Sequence, residues 1–164
     1  MSEATVNIVG VGSTLMGDDG VGPAAAEALA RRALPRGARV YDAGLAVSDV
    51  LGGLDPDVPL IVIDAVRAGG RPGSVYQAKL DDLALVEGTL SGCLSLHEIG
   101  VLPALRIEAL TGREFRDVTV FGVEPAPSEW GEQLSPAAAG AMDALVEAVL
   151  KHVESISAPM RAGV

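Results

Sequence analysis

Three side chains in this sequence combine the types and positions that chemistry needs: Asp19 in "GSTLMGDDGVGP", Asp64 in "LIVIDA" and His97 in "LSLHEIG". Brought together, two carboxylates and an imidazole hold a borderline divalent transition metal with coordination positions left open. Alternatively they hold and polarise a water, one group acting as general base and the others orienting it. A helix start at His97 disfavours its protonation, which suits a neutral ligand. Each residue also has a plainer reading. Asp18 or Asp19 caps a following helix, and His97 is an exposed member of a first helical turn. Asp64 is harder to explain plainly, because an acid directly after an apolar run ends a buried strand where water is scarce.

For the three to meet, the elements carrying them must end at one edge of a sheet. "TVNIVGVG" reads as a buried strand, and "GPAAAEALARRAL" follows as a helix with Pro23 where its missing N–H costs nothing. "ARVYDAG" is a second strand closed by Asp42 and Gly44, followed by the short helix "VSDVLGGL". "VPLIVIDA", the most apolar run, predicts a central parallel strand buried on both faces. "GSVYQAKL" alternates as an outer strand does. Ser95 and Glu98 form a capping box for a helix to about Leu110, made irregular by Gly100 and Pro103. "DVTVFGVEP" is the last strand. Ser135 then caps a long amphipathic helix that starts at Pro136, its apolar positions Ala138, Met142, Leu145, Val149 and Val153 recurring at three and four. Strands alternating with helices predict an α/β domain: a three-layer α/β/α sandwich around a mostly parallel, twisted sheet of about five strands. In such sheets the site lies at the carboxyl ends of the strands, which is where Asp19 and Asp64 fall. The domain is expected to span residues 1–153, with 154–164 a flexible tail.

Composition narrows the function. A formal net charge of -10 disfavours nucleic acid and anionic membranes as partners. No apolar run approaches the ~20 residues that cross a bilayer. The single Cys93 makes no internal disulfide and reads as a packing residue, so a reducing cytoplasm is the expected location. The other histidine, His152, falls near the end of the last helix, facing its dipole and solvent. Trp130 falls on a loop, as a core lid or as part of a partner-binding rim. The "GVG" turn resembles a dinucleotide fingerprint, but its third glycine would fall at Leu15. The acidic pair would also repel a pyrophosphate.

Taken together, "IVGVGSTLMGDDGVGP", "VIDAV" and "SLHEIG" resemble, in order and spacing, the hydrogenase maturation proteases, over about residues 5 to 150. These endopeptidases trim the large subunit of nickel-iron hydrogenases. The resemblance implies that Asp19, Asp64 and His97 are the metal-contacting catalytic triad. It implies no stored cofactor: the nickel belongs to the large-subunit precursor, which is cut near its C-terminus after the metal is installed. "DAGL" loosely matches the family's substrate-contacting segment, which makes Asp42 and Gly44 expected substrate contacts, and Ser13 stands where the family usually has Asn. A monomeric cytoplasmic endopeptidase is the expected protein. The rival readings are a non-cutting hydrogenase assembly partner and a dinucleotide-binding α/β enzyme.

Overall fold

A strand covered on both faces reads as a continuous apolar run, and its alternating side chains feed two separate cores. The computed structural model describes residues 3–82, 100–127 and 130–158, and among these residues it has five strands, of which the first, third and fifth are buried throughout. They are β1 (Val6–Val11), β2 (Ala38–Gly44), β3 (Leu60–Ala65), β4 (Val75–Lys79) and β5 (Val118–Val123), in sheet order β2-β1-β3-β5-β4. Pairing is parallel from β2 to β5, and β4 runs antiparallel to β5 at one edge. The alternation of "GSVYQAKL" matches that edge position.

On one face, Val6, Ile8, Ile61, Ile63, Phe121 and Val123 pack beneath two helices, α1 (Val21–Ala30) and α4 (Pro136–Ser157). On the other, Val9, Val11, Leu60, Val62, Val118 and Val120 meet α2 (Val47–Gly52) and α3 (Leu102–Leu110). The expected three-layer α/β/α sandwich is therefore present. Parity then assigns the face of the central acid. Asp64 follows Leu60 and Val62 in register, so its side chain leaves the sheet toward the α2–α3 layer.

The structure corrects several local expectations. The N-cap of α1 is Gly20 with no side-chain cap, so neither Asp18 nor Asp19 caps it; both lie in a preceding 3-10 turn, Gly17–Gly20. Ser95 and Glu98 lie outside the described residues. Within the described part, α3 starts at Leu102 with Pro103 in its first turn, where proline is harmless, instead of being distorted by it. Helix α4 does begin with Ser135 as N-cap, its side chain accepting from the Ala138 N–H at 3.2 Å. It continues through Ser157, into the segment expected to be a tail. His152 does not point to solvent: its half-buried ring meets Phe121 edge-on, with centroids 5.6 Å apart. Burial lowers its pKa below the usual histidine value. No described helix is long and apolar enough to cross a membrane.

Candidate active site

A chain leaving a buried strand into a helix must turn sharply, and the helix must pack close enough to hold the turn. In β1–α1 this is done with glycine. A Cβ at Gly12, whose φ is +131°, would lie 1.9 Å from the Asp19 carbonyl oxygen, so only glycine lets the turn fold back against the residue it presents. Within that turn the Ser13 N–H donates to Asp19 Oδ2 at 2.9 Å, which fixes the carboxylate beside the end of β1.

Asp64 reaches the same place from β3. Its side chain is 3% exposed, and its two oxygens are held apart by backbone donors. Oδ1 accepts from the Ala65 N–H at 2.8 Å, and Oδ2 from the Gly100 N–H at 3.1 Å. Asp19, Asp64, Gly44, Leu45 and Gly100 line one cleft of about 150 Å³ at the carboxyl edge of the sheet. Burial raises the Asp64 pKa from 3.8 to about 7; the two backbone hydrogen bonds oppose the rise and the charge on Asp19 adds to it. Near neutral pH, Asp64 is thus close to the midpoint of its own titration. Two carboxylates of this kind are hard oxygen ligands for part of a metal's coordination shell. Among the described residues no three His, Cys, Asp or Glu side chains gather as a metal site.

Of the residues singled out in the sequence, Asp19, Asp64 and Gly44 are brought together. His97 lies outside the described residues; Gly100, a few residues downstream, donates to Asp64. Asp42 does not line this cleft. Its Oδ1 accepts from the Gly44 N–H at 3.1 Å, holding the turn at the end of β2, and it borders a neighbouring recess with Glu27 and Glu132.

Two further acids have roles that the sequence reading did not give: Asp18 was expected only as a helix cap, and Glu124 was missed. Asp18, 3% exposed, is an anchor: it accepts from the Ala126 N–H at 2.8 Å, the Ser135 N–H at 2.6 Å and the Ser135 hydroxyl at 2.7 Å. It thereby ties the turn bearing Asp19 to the start of α4. Nothing near it in sequence signals this, since its partners are over a hundred residues away. Glu124, at the end of β5, accepts from the Ala68 N–H and the Tyr76 hydroxyl, both at 2.8 Å, and so pins the β3–β4 loop. An acid ending the apolar run "VTVFGVEP" is the same signal that marked Asp64, and it was available.

Removing the Asp18 carboxylate strands three donors in a buried place. Asp18→Ala is therefore expected to cost about 3 kcal/mol or more in urea denaturation. An unchanged midpoint would show that the anchor carries no stability.

The profile of the family described as hydrogenase maturation protease (HycI) matches residues 23–152. The chain belongs to the hydrogenase maturation proteases. Hydrogenase maturation proteases are peptidases, and the similarity extends through individual members. The hydrogenase expression/formation protein HupD of Rhodobacter capsulatus is 34% identical over 147 residues, covering 88% of this chain and 69% of that protein. The hydrogenase 2 maturation protease of Escherichia coli K12 is 28% identical, over 89% of this chain and 86% of its own. The chain spans 61% of the length of another relative, HupM of Azotobacter chroococcum. Among solved structures, the hydrogenase maturating endopeptidase HybD of Escherichia coli superposes with a TM-score of 0.76 at 27% identity, covering 92% of each chain. A hydrogenase 2 maturation peptidase from a Thaumarchaeota archaeon gives 0.68 at 29%, over 90% of this chain and 97% of that one.

Proposed function

We propose that this protein is the endopeptidase that removes the C-terminal extension of a nickel-iron hydrogenase large-subunit precursor once nickel has been inserted. Family membership supports the reaction class. The observation that carries the site assignment is the convergence of Asp19 and Asp64 on one cleft at the carboxyl edge of the sheet. In this reading Asp19, Asp64 and His97 contact nickel held by the precursor, and the protease stores no metal of its own. The Ser13 and Gly100 N–H groups keep both carboxylates in place before the substrate arrives, so little reorganisation is needed. Asp64 gives up its proton as the cation enters, which makes the affinity depend on the charge the precursor carries. A precursor without nickel offers no cation to take the place of the Asp64 proton, so the unloaded substrate gains no such contact. Gly44 lies where the precursor chain would pass, and Asp42 shapes the turn that presents it. The protein acts as a monomer in the cytoplasm.

The dinucleotide reading loses support from the turn itself. Asp18 and Asp19 fill the 3-10 turn before α1, where a pyrophosphate would need amide donors and no negative charge.

Mass spectrometry of a nickel-loaded precursor incubated with this protein, beside a nickel-free control, tests the proposal. Loss of the extension from the loaded sample alone is the expected outcome. Binding of the loaded precursor with its mass unchanged would instead make the protein a non-cutting assembly partner.

A further inference from the structure

A tryptophan in a protein of this size normally buries most of its ring, because no other side chain removes as much apolar surface from water. Trp130 is 83% exposed, and Leu15 is 54% exposed. Neither floats on a free loop. Met16 and Gly131 form a parallel bridge: the Gly17 N–H donates to the Gly131 carbonyl at 2.8 Å, and the Gly131 N–H to the Leu15 carbonyl at 3.0 Å. Parallel register places Leu15 opposite Trp130 on the paired segments, an arrangement we read as one apolar shelf. The Asp18 anchor clamps the far end of the same segment through Ser135. The shelf and the turn that presents Asp19 are therefore joined along their length.

Beside the shelf opens a recess of about 560 Å³, walled by Trp130, Gly17, Asp18, Glu132, Leu134 and their neighbours. Glu132 and Leu134 continue into a second recess of about 190 Å³ that also carries Asp42 and Glu27. Among the described residues no lysine or arginine lines either one, although Arg31 pairs with Glu27, and the chain as a whole carries a formal net charge of -10. The trough thus has an apolar ledge beside it and the carboxyl side chains of Glu132 and Asp42 in its lining. A peptidase must hold chain on at least one side of the bond it cuts, and this trough starts one residue from Asp19.

We propose that this trough is the docking site for the precursor's polypeptide next to the cut. The segment it takes sets an apolar side chain on Trp130 and Leu15 and carries Lys or Arg toward Glu132 and Asp42, since Glu27 is already paired with Arg31. This rests on the endopeptidase reading for the identity of the partner, while the chemistry of the occupant follows from the trough itself. The aromatic anchor supplies most of the affinity, and the carboxylates supply selection and speed of encounter.

Trp130 is the sole tryptophan, so its fluorescence reports on this surface alone. Titrating the full chain with cognate precursor is expected to shift the emission to shorter wavelength and to shield it from acrylamide. A synthetic Leu/Lys peptide should compete, and the matching Leu/Glu peptide should not. Trp130→Ala is expected to raise KM for the precursor about tenfold, with a smaller change in kcat. Glu132→Gln should weaken the Leu/Lys peptide and reduce the salt dependence of its binding. Cleavage at unaltered KM by Trp130→Ala, or precursor binding that leaves the emission unmoved, would overturn the docking site. A spectral shift with no cleavage would keep the docking site and remove the endopeptidase reading.

Discussion

Asp64→Asn is expected to lower precursor processing on the order of a thousandfold while leaving the free protein at least as stable as the parent at pH 8. The two effects share one cause. In the folded chain the Asp64 pKa is raised to about 7 from 3.8, mainly by burial. Below pH 3.8 the group is protonated in both folded and unfolded chains, and the folded form keeps its full stability. Between 3.8 and about 7 the unfolded chain has lost the proton and the folded chain retains it, so stability falls as pH rises. The loss approaches at most about 4 kcal/mol above pH 7, and the asparagine, which does not titrate, escapes it. Part of that gain is offset, because a carboxamide accepts well at only one of the Ala65 and Gly100 donors. Urea denaturation of both proteins from pH 4 to 8 in the presence of chelator checks the prediction. The parent's stability should fall more steeply over that range. Parallel curves would show that Asp64 is not held protonated by its burial, and normal processing by the variant would remove it from the site.

Gly22→Ala is expected to destabilise the protein by about 3 kcal/mol or more and to impair processing with it. Helix propensity alone predicts the opposite sign, a gain of about 1 kcal/mol for alanine over glycine within a helix. Packing decides. A Cβ on Gly22 would fall 2.1 Å from the Val11 carbonyl oxygen, 2.4 Å from the Val11 nitrogen and 2.5 Å from the Ile63 carbonyl oxygen. All three are backbone atoms of the central strands, so no rotamer change relieves the clash. Gly10 meets α1 just as closely, its Cβ position 2.3 Å from the Gly22 carbonyl oxygen. Forcing α1 outward would pull the Asp19 turn away from the end of β3 that bears Asp64. Thermal denaturation of Gly22→Ala gives the sign directly, and an unchanged or raised Tm would show that the helix yields without cost.

The sandwich was legible because each of its determinants is local. The runs in β1, β3 and β5 are apolar on both faces, which only a doubly covered strand requires. "GSVYQAKL" alternates, which marks an edge. Ser135 followed by Pro136 starts a helix by chemistry confined to one turn. The acid after "LIVI" and the acidic pair after the first strand were visible for a similar reason: a charge directly after buried residues is costly unless something uses it.

Sequence alone thus determined the layers, the strand-end positions of Asp19 and Asp64, and the family resemblance of the motifs that carry them. The resemblance already pointed to Asp19 as the site residue of the acidic pair, but only the tertiary structure gave Asp18 its anchoring partners. Asp18 and Asp19 are the same residue type one position apart, and the choice between anchor and cleft depends on Ala126 and Ser135, distant in the chain and adjacent in space. It likewise decided that Gly44 enters the cleft while Asp42 does not, and that Trp130 lies on an exposed shelf instead of covering the core. The physical reason is common to all of these. Burial, desolvation and the reach of a backbone N–H are set by which segments the fold brings side by side, and spacing along the chain does not encode that distance.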